Sequence, residues 1–366
     1  MQPKSNIVHL PVYEPGKPME EVKRELGLTE VTKLASNENP FGCSPKAKEA
    51  IVHELQHTSL YPDGASVELA AAVANHLGVN TDQLIFGAGS DEVILMIARA
   101  FFVSGDETIM ATHTFPQYKH NAEIEGAVSV EIPLKEGKHD LPGMLERITE
   151  RTKVIWICNP NNPTGTIVTL EELESFMKEV PERVLVVLDE AYCEYITDSE
   201  YPDGLAFLSR YPNILLLRTF SKIYGLASLR IGYGVGHPKV IRYINQVREP
   251  FNTTRFAQAG AKAAIEDQSF IQFCREENAK GLQFLQSEFQ RLGLDAYPAY
   301  GNFVMVNTGR DAEKVFNSLL SKGIIVRGGH KLNFPASIRV TIGSQEQNEK
   351  FINALEVSLA ELTIEV

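Results

Sequence analysis

The stretch RVLVVLDEAY, Arg183 to Tyr192, decides how the chain folds. From Val184 to Leu188 it is apolar at every position. Strands of that kind have both faces covered and belong to parallel sheets sandwiched between helices. The run ends on Asp189, and a carboxylate at the edge of a buried strand is costly unless a cation or hydrogen bonds meet it. The other reading of Asp189, a helix N-cap, leaves the strand assignment untouched.

The pattern repeats on both sides of this stretch. SVELAAAVANHLG reads as a helix and QLIFGAG as a short strand running into glycines. SDEVILMIARAFF predicts a helix with Ser90 or Asp91 at its N-cap. ETIMAT, VSVEIPL, KVIWICN and NILLLRTF are further strands, and TLEELESFMKEV is a helix opened by a capping box of Thr169 and Glu172. Apolar strands alternating with amphipathic helices predict an α/β fold with a mostly parallel sheet, whose ligands collect at the carboxyl ends of the strands. Residues 1–30, with Pro3, Pro11, Pro15 and Pro18, read as an N-terminal arm in which only MEEVKRELG is helical. A boundary near Glu249–Pro250 divides a large domain, 31–250, from a smaller C-terminal α/β domain, 251–366, that begins with the long helical stretch QSFIQFCREENAKGLQFLQSEFQRLG.

With 366 residues, 43% of them hydrophobic and 22% charged, the chain can bury a sizeable core. A net charge of −12 argues against nucleic-acid binding, although a local arginine cluster can still hold a small anion. No apolar run approaches the roughly 18 residues of a membrane span. The start MQPKSNIVHLPVYEPGKP lacks the basic and apolar regions of a secretory leader. The four cysteines, Cys43, Cys158, Cys193 and Cys274, are scattered without a CxxC pair, so a metal-free, reduced, cytoplasmic protein is expected.

Four strand-end segments carry the chemistry. GAGSDE, Gly87 to Glu92, puts glycines before a helix N-terminus, which suits a phosphate; the third glycine of a dinucleotide fingerprint is missing at Glu92. NPNNPTG, Asn159 to Gly165, is a rigid irregular loop that presents an asparagine. DEAY brings Asp189 and Tyr192 close together. RTFSKIYGLASLR, Arg218 to Arg230, holds Lys222 just past a buried strand, where desolvation turns an amine into a usable nucleophile.

In this order the segments resemble the fold-type I aminotransferases, which use pyridoxal 5'-phosphate. LASNENPFG, YPDG, WICNPNNPTG, LDEAYCEY, RTFSKIYGLASLRIGYG, IIVRGG and IRVTIG are similar, more narrowly, to the histidinol-phosphate aminotransferases of histidine biosynthesis. The resemblance covers nearly the whole chain. It implies that Lys222 bonds to the cofactor aldehyde and, once freed, moves the proton, and that Asp189 pairs with the ring nitrogen. Asn162 and Tyr192 would bond the ring oxygen and Phe115 stack on the ring. Ser90, Asp91, Thr219, Ser221 and Arg230 would hold the phosphate. Tyr61 would reach that phosphate from a neighbouring subunit, so a homodimer is expected. Tyr13, Asn162, Asn302, Arg327 and Arg339 would meet the substrates, histidinol phosphate and 2-oxoglutarate or glutamate. Where the family commonly has a proline, His113 stands here. The competing readings are an aromatic amino-acid aminotransferase, a threonine-phosphate decarboxylase and, without this cofactor, a binding protein or a nicotinamide dehydrogenase.

Overall fold

The computed structural model describes residues 1–12 and 19–364. Its centre is a seven-stranded sheet in the order Leu84–Gly87, Gly232–Gly236, Ile214–Thr219, Leu185–Asp189, Thr152–Cys158, Glu107–Ala111, Val128–Ile132. Neighbouring strands run parallel except at Gly232–Gly236, which is antiparallel to both its neighbours. The mostly parallel α/β architecture read from the sequence is therefore present.

Alternation within the strands explains their unbroken apolarity. Ile155, Ile157, Val186, Leu188, Ile214 and Leu216 enter one buried cluster, while Val154, Trp156, Leu185, Val187, Leu215 and Leu217 enter another on the opposite face. Each face of the central strands is covered by helices, so Leu185–Asp189 is buried at every position, while the edge strand Val128–Ile132 stays partly exposed. The capping box at Thr169 and Glu172 forms as expected. The helix after Gly87 departs from expectation. It spans Ser90–Phe101 and its N-cap is Gly89, at φ 78°, with no side-chain cap. The glycine takes a left-handed turn that Ser90 could not make without strain, and the first N–H groups of the helix stay free of a capping oxygen.

A second, four-stranded sheet orders Arg327–Gly328, Ser337–Thr341, Phe303–Asn307 and Asp295–Ala296, all antiparallel. Its core, with Val304, Ile338 and Phe351, also takes in Leu34 from near the N-terminus. The helix Gln268–Arg291 serves both bodies: Ile271 and Cys274 pack in the large cluster, Leu285 and Phe289 in the small one. At the N-terminus, Asn6 donates to the carbonyls of Glu123 and Ile124, at 2.7 and 2.9 Å, and so caps the end of the helix Gln117–Ile124.

One ion pair braces the sheet edge. Arg218 donates through Nε to Glu190 Oε2 at 2.9 Å, with Nη2 2.8 Å from the same oxygen, and the two side chains are 12% and 1% exposed. Removing one partner of a buried pair leaves an uncompensated charge, a loss of about 3–5 kcal/mol. Arg218→Met is accordingly expected to lower the urea midpoint by that equivalent. An unchanged midpoint would show that the pair contributes nothing to stability.

Candidate active site

The carboxyl ends of the parallel strands open on a cavity of about 1240 Å³. Lys222, Asp189, Tyr192, Asn162, Phe115, Ser90, Asp91, Thr219, Ser221, Arg230, Arg327 and Arg339 all line it. Tyr61 and Asn302 do not, and Tyr13 lies outside the described residues.

Lys222 is carried past the end of Ile214–Thr219 by a short turn and donates from Nζ to the Ser36 carbonyl at 3.3 Å. Its ammonium also lies 5.5 Å from the centre of the Tyr192 ring. Burial in the cavity, with Arg339 nearby, pulls its pKa down to about 8. Asp189, 3% exposed on the neighbouring strand, accepts from Ala191 N at 3.1 Å and from the Tyr118 hydroxyl at 2.6 Å. Burial pushes its pKa up to about 6 against those two bonds. Among the described residues no cation is paired with this carboxylate.

The NPNNPTG loop explains itself by what its side chains do. Asn159 exchanges two hydrogen bonds with the backbone of Val168, at 3.1 and 2.9 Å. Asn161 accepts from Thr114 Oγ1 at 2.8 Å and donates to the His113 carbonyl at 3.1 Å. Two asparagines therefore brace the loop, and Asn162 is the one presented to the cavity, where its Oδ1 accepts from Arg339. His113 contributes through its main-chain oxygen, which a proline would also supply, so its departure from the family pattern leaves the brace intact.

At the other end of the cavity is an anion cradle. The Ser90–Phe101 helix points its uncapped N-terminus there, beside Thr219, Ser221 and Arg230. Arg230 donates to Ser221 Oγ at 3.4 Å and the Ala227 carbonyl at 3.0 Å, with Asp91 Oδ2 3.3 Å from its Nη2. A Cβ on Gly89 would fall 2.6 Å from Arg230 Nη2, and one on Gly232 would strike Ser90 N. Both glycines are needed for backbone and guanidinium to approach this closely.

The opposite wall comes from the small sheet. Arg327 and Arg339 are direct cross-strand partners, so two guanidinium groups share one face. Like charges placed opposite each other are unfavourable, and an anion between them relieves the repulsion. Arg339 is further held by the Ala35 carbonyl at 2.7 Å.

Four contributors, Tyr118, Asn37, Ala35 and Ser36, escaped the sequence reading. Tyr118 bonds Asp189, and its signal was present as an aromatic three residues after Phe115. Asn37, at φ 56°, donates from Nδ2 to the Tyr192 hydroxyl at 3.0 Å, and Asn302 reaches this network by donating to the Asn37 carbonyl at 3.0 Å. The carbonyls of Ala35 and Ser36, bonded to Arg339 and Lys222, carry no side-chain signal at all.

Comparison with known proteins agrees with this geometry. Residues 29–355 match the family described as aminotransferase class I and II. The histidinol-phosphate aminotransferase of Brevibacillus brevis is 56% identical over 97% of this chain and 98% of its own length. That of Bacillus subtilis is 53% identical over 97% and 99%. Among solved structures, histidinol-phosphate aminotransferase from Sinorhizobium meliloti in complex with pyridoxal-5'-phosphate superposes with a TM-score of 0.90 at 29% identity, over 98% of both chains. The chain belongs to the aminotransferase class I and II family, with the fold-type I architecture.

Proposed function

We propose that this cavity binds pyridoxal 5'-phosphate and that the protein transfers the amino group of L-histidinol phosphate to 2-oxoglutarate, giving imidazole acetol phosphate and glutamate. The observation that carries the reading is Lys222, an amine with its pKa brought down to about 8 in the same cavity as a buried carboxylate that no cation among the described residues pairs with. The residues fit the cofactor: an amine for the aldehyde, Asp189 for the ring nitrogen, and for the phosphate a cradle that a Cβ at Gly89 or Gly232 would fill.

When bound, pyridoxal phosphate supplies an aldehyde for the amine and a protonated ring that accepts the electron pair of a broken C–H bond. The rest is the work of the chain. Asp189 holds positive charge at the ring nitrogen, while Asn162 and Tyr192 orient the ring through its oxygen and Phe115 covers a face. The backbone N–H groups of Ser90 and Asp91, with Thr219, Ser221 and Arg230, would fix the phosphate end. Lys222 Nζ takes and returns a proton at the carbon bearing the substrate amine, and a pKa near working pH suits both directions. Arg327 and Arg339 bind the substrate phosphate in one half-reaction and a carboxylate in the other, since the guanidinium fork matches both. Tyr13, in the N-terminal arm, and Asn302, through Asn37, complete the substrate side.

In this reading residues 31–250 form the cofactor-binding unit, 251–366 the smaller unit and 1–30 an arm. The active assembly is a homodimer in which Tyr61 of each copy serves the other's cofactor phosphate. Tyr61 is 77% exposed and stacks on Phe251 at 4.7 Å, and Val52, Leu55, Leu60 and Val67 nearby in sequence are exposed too. No helix among the described residues is long and apolar enough to cross a membrane. A cytoplasmic location belongs to the proposal, supported by the four free cysteines.

The substrate assignment is tested by comparing histidinol phosphate with phenylalanine and tyrosine as donors to 2-oxoglutarate. Histidinol phosphate should have much the higher kcat/KM, and the reverse order would make the protein an aromatic aminotransferase. Arg327→Gln should raise KM for histidinol phosphate and for 2-oxoglutarate roughly ten- to a hundredfold, the value of one charge-assisted contact. An effect on neither substrate removes Arg327 from the site.

The lysine is tested by its pH dependence. Covalent capture of pyridoxal phosphate by apo-protein, trapped with borohydride, should speed up as pH rises through about 8 and then level off, because only the neutral amine attacks. Arg339→Gln removes a positive charge that depresses the Lys222 pKa, so the rise should move to higher pH. Capture that survives in Lys222→Ala would place the reactive amine elsewhere. For the shared site, inactive Tyr61→Ala and Lys222→Ala proteins should regain activity when mixed; no recovery despite proven subunit exchange overturns the role of Tyr61 across the interface.

A further inference from the structure

Asp189 is held by more than the end of its strand. Its Oδ1 accepts from Ala191 N at 3.1 Å, a bond local to the turn, while its Oδ2 accepts from Tyr118 at 2.6 Å, a bond that spans 71 residues of sequence. Tyr118 lies on the first turn of Gln117–Ile124 and is completely buried. Its ring is fixed on two sides. It stacks on the indole of Trp156 at 4.8 Å and 9°, and Phe115 meets it edge-on at 5.6 Å and 76°. Trp156 is itself anchored, donating from Nε1 to Thr108 Oγ1 at 2.8 Å, and Thr108 donates on to the Val154 carbonyl at 2.9 Å.

The phenol therefore cannot leave the carboxylate without unstacking from a tethered indole. Its proton stays on the tyrosine, because burial and the neighbouring Asp189 and Cys158 all push the Tyr118 hydroxyl above its ordinary value. The direction of the bond follows: Tyr118 donates and Asp189 accepts. The other charges around Asp189 act against it, since Asp91 and Glu190 both favour its protonated form, and Tyr118 and Ala191 oppose them.

We propose that Tyr118 is the positioning residue of this site: its hydroxyl fixes the orientation of the Asp189 carboxylate and stands in for water around its charge, so that the carboxylate is aimed at the cofactor's ring nitrogen. The same ring backs Phe115, so one side chain sets both the group that meets the ring edge and the group that covers its face. The inference rests on pyridoxal phosphate binding in this cavity.

Tyr118→Phe removes one oxygen and keeps the stack on Trp156. Trp156 is the only tryptophan in the chain, so quenching of its fluorescence reads cofactor binding by apo-protein directly. Two ligands are compared: pyridoxal phosphate, and its 1-deaza analogue in which a C–H replaces the ring nitrogen. The Kd for pyridoxal phosphate should rise roughly ten- to a hundredfold in Tyr118→Phe, the value of a hydrogen bond to a charged group, while the Kd for the analogue should change by about twofold or less. In an Asp189→Asn background the same substitution should cost no further affinity, because the two groups act as one. Tyr118→His, which returns a ring N–H, should recover part of the loss. Equal weakening of both ligands, or a full additional loss in the Asp189→Asn protein, would reduce Tyr118 to packing and overturn the proposal. An unchanged Kd in Tyr118→Phe would overturn it too. If the unmodified protein takes up neither ligand, the cofactor reading falls first, and this proposal with it.

Discussion

The site is arranged around two charges drawn away from bulk water, the half-buried amine of Lys222 and the buried carboxylate of Asp189. Neither satisfies the other: Lys222 is bonded to a main-chain carbonyl, and Asp189 to a phenol and a backbone N–H. Charges drawn from water without a full counter-ion are unfavourable, and such groups cluster at functional sites, where a ligand can complete the pairing. The adjacent parallel strands Leu185–Asp189 and Ile214–Thr219 deliver both groups to one sheet edge in fixed register. The opposite pKa shifts, Lys222 down to about 8 and Asp189 up to about 6, are the electrostatic record of that desolvation.

The second body contributes what the sheet cannot. Its cross-strand arginines add positive charge on the far side of the cavity, and Arg339 also depresses the lysine. The short segment Leu34–Asn37 ties the two bodies at the site. Leu34 packs in the small core, the next two carbonyls hold Arg339 and Lys222, and Asn37 holds Tyr192. Because Asn37 also exchanges hydrogen bonds with Thr341 of the small sheet, at 2.9 and 3.1 Å, the orientation of Tyr192 depends on how that sheet is seated.

Legibility in the sequence followed the range of the interaction. The apolar strands, the Thr169 capping box and the strand-end loops are dictated by residues within a few positions of one another, and these were read correctly. Side-chain preference points the N-cap to Ser90 or Asp91, whereas the decisive need is a left-handed backbone beside Arg230, which Gly89 supplies. The cluster of Lys222, Asp189, Asn162 and Arg230 was found through the order of motifs, which encodes strand ends. Tyr118 against Asp189, Arg327 opposite Arg339 and Asn37 under Tyr192 depend on register and helix placement across 71, 12 and 155 residues, so the sequence shows the residues but not their pairing.

The carbonyls of Ala35 and Ser36 have a consequence for how such a site drifts over evolutionary time. Both hold charged side chains through atoms that every amino acid possesses, so the identity of the residue at either position is only loosely constrained by that contact. Selection there acts on the path of the chain, which Leu34 and Asn37 set from either side. A lineage could replace both side chains and leave the grip on Lys222 and Arg339 unchanged. The contact that this segment makes is thus set by the path of the chain, and the side chains of Ala35 and Ser36 do not enter it.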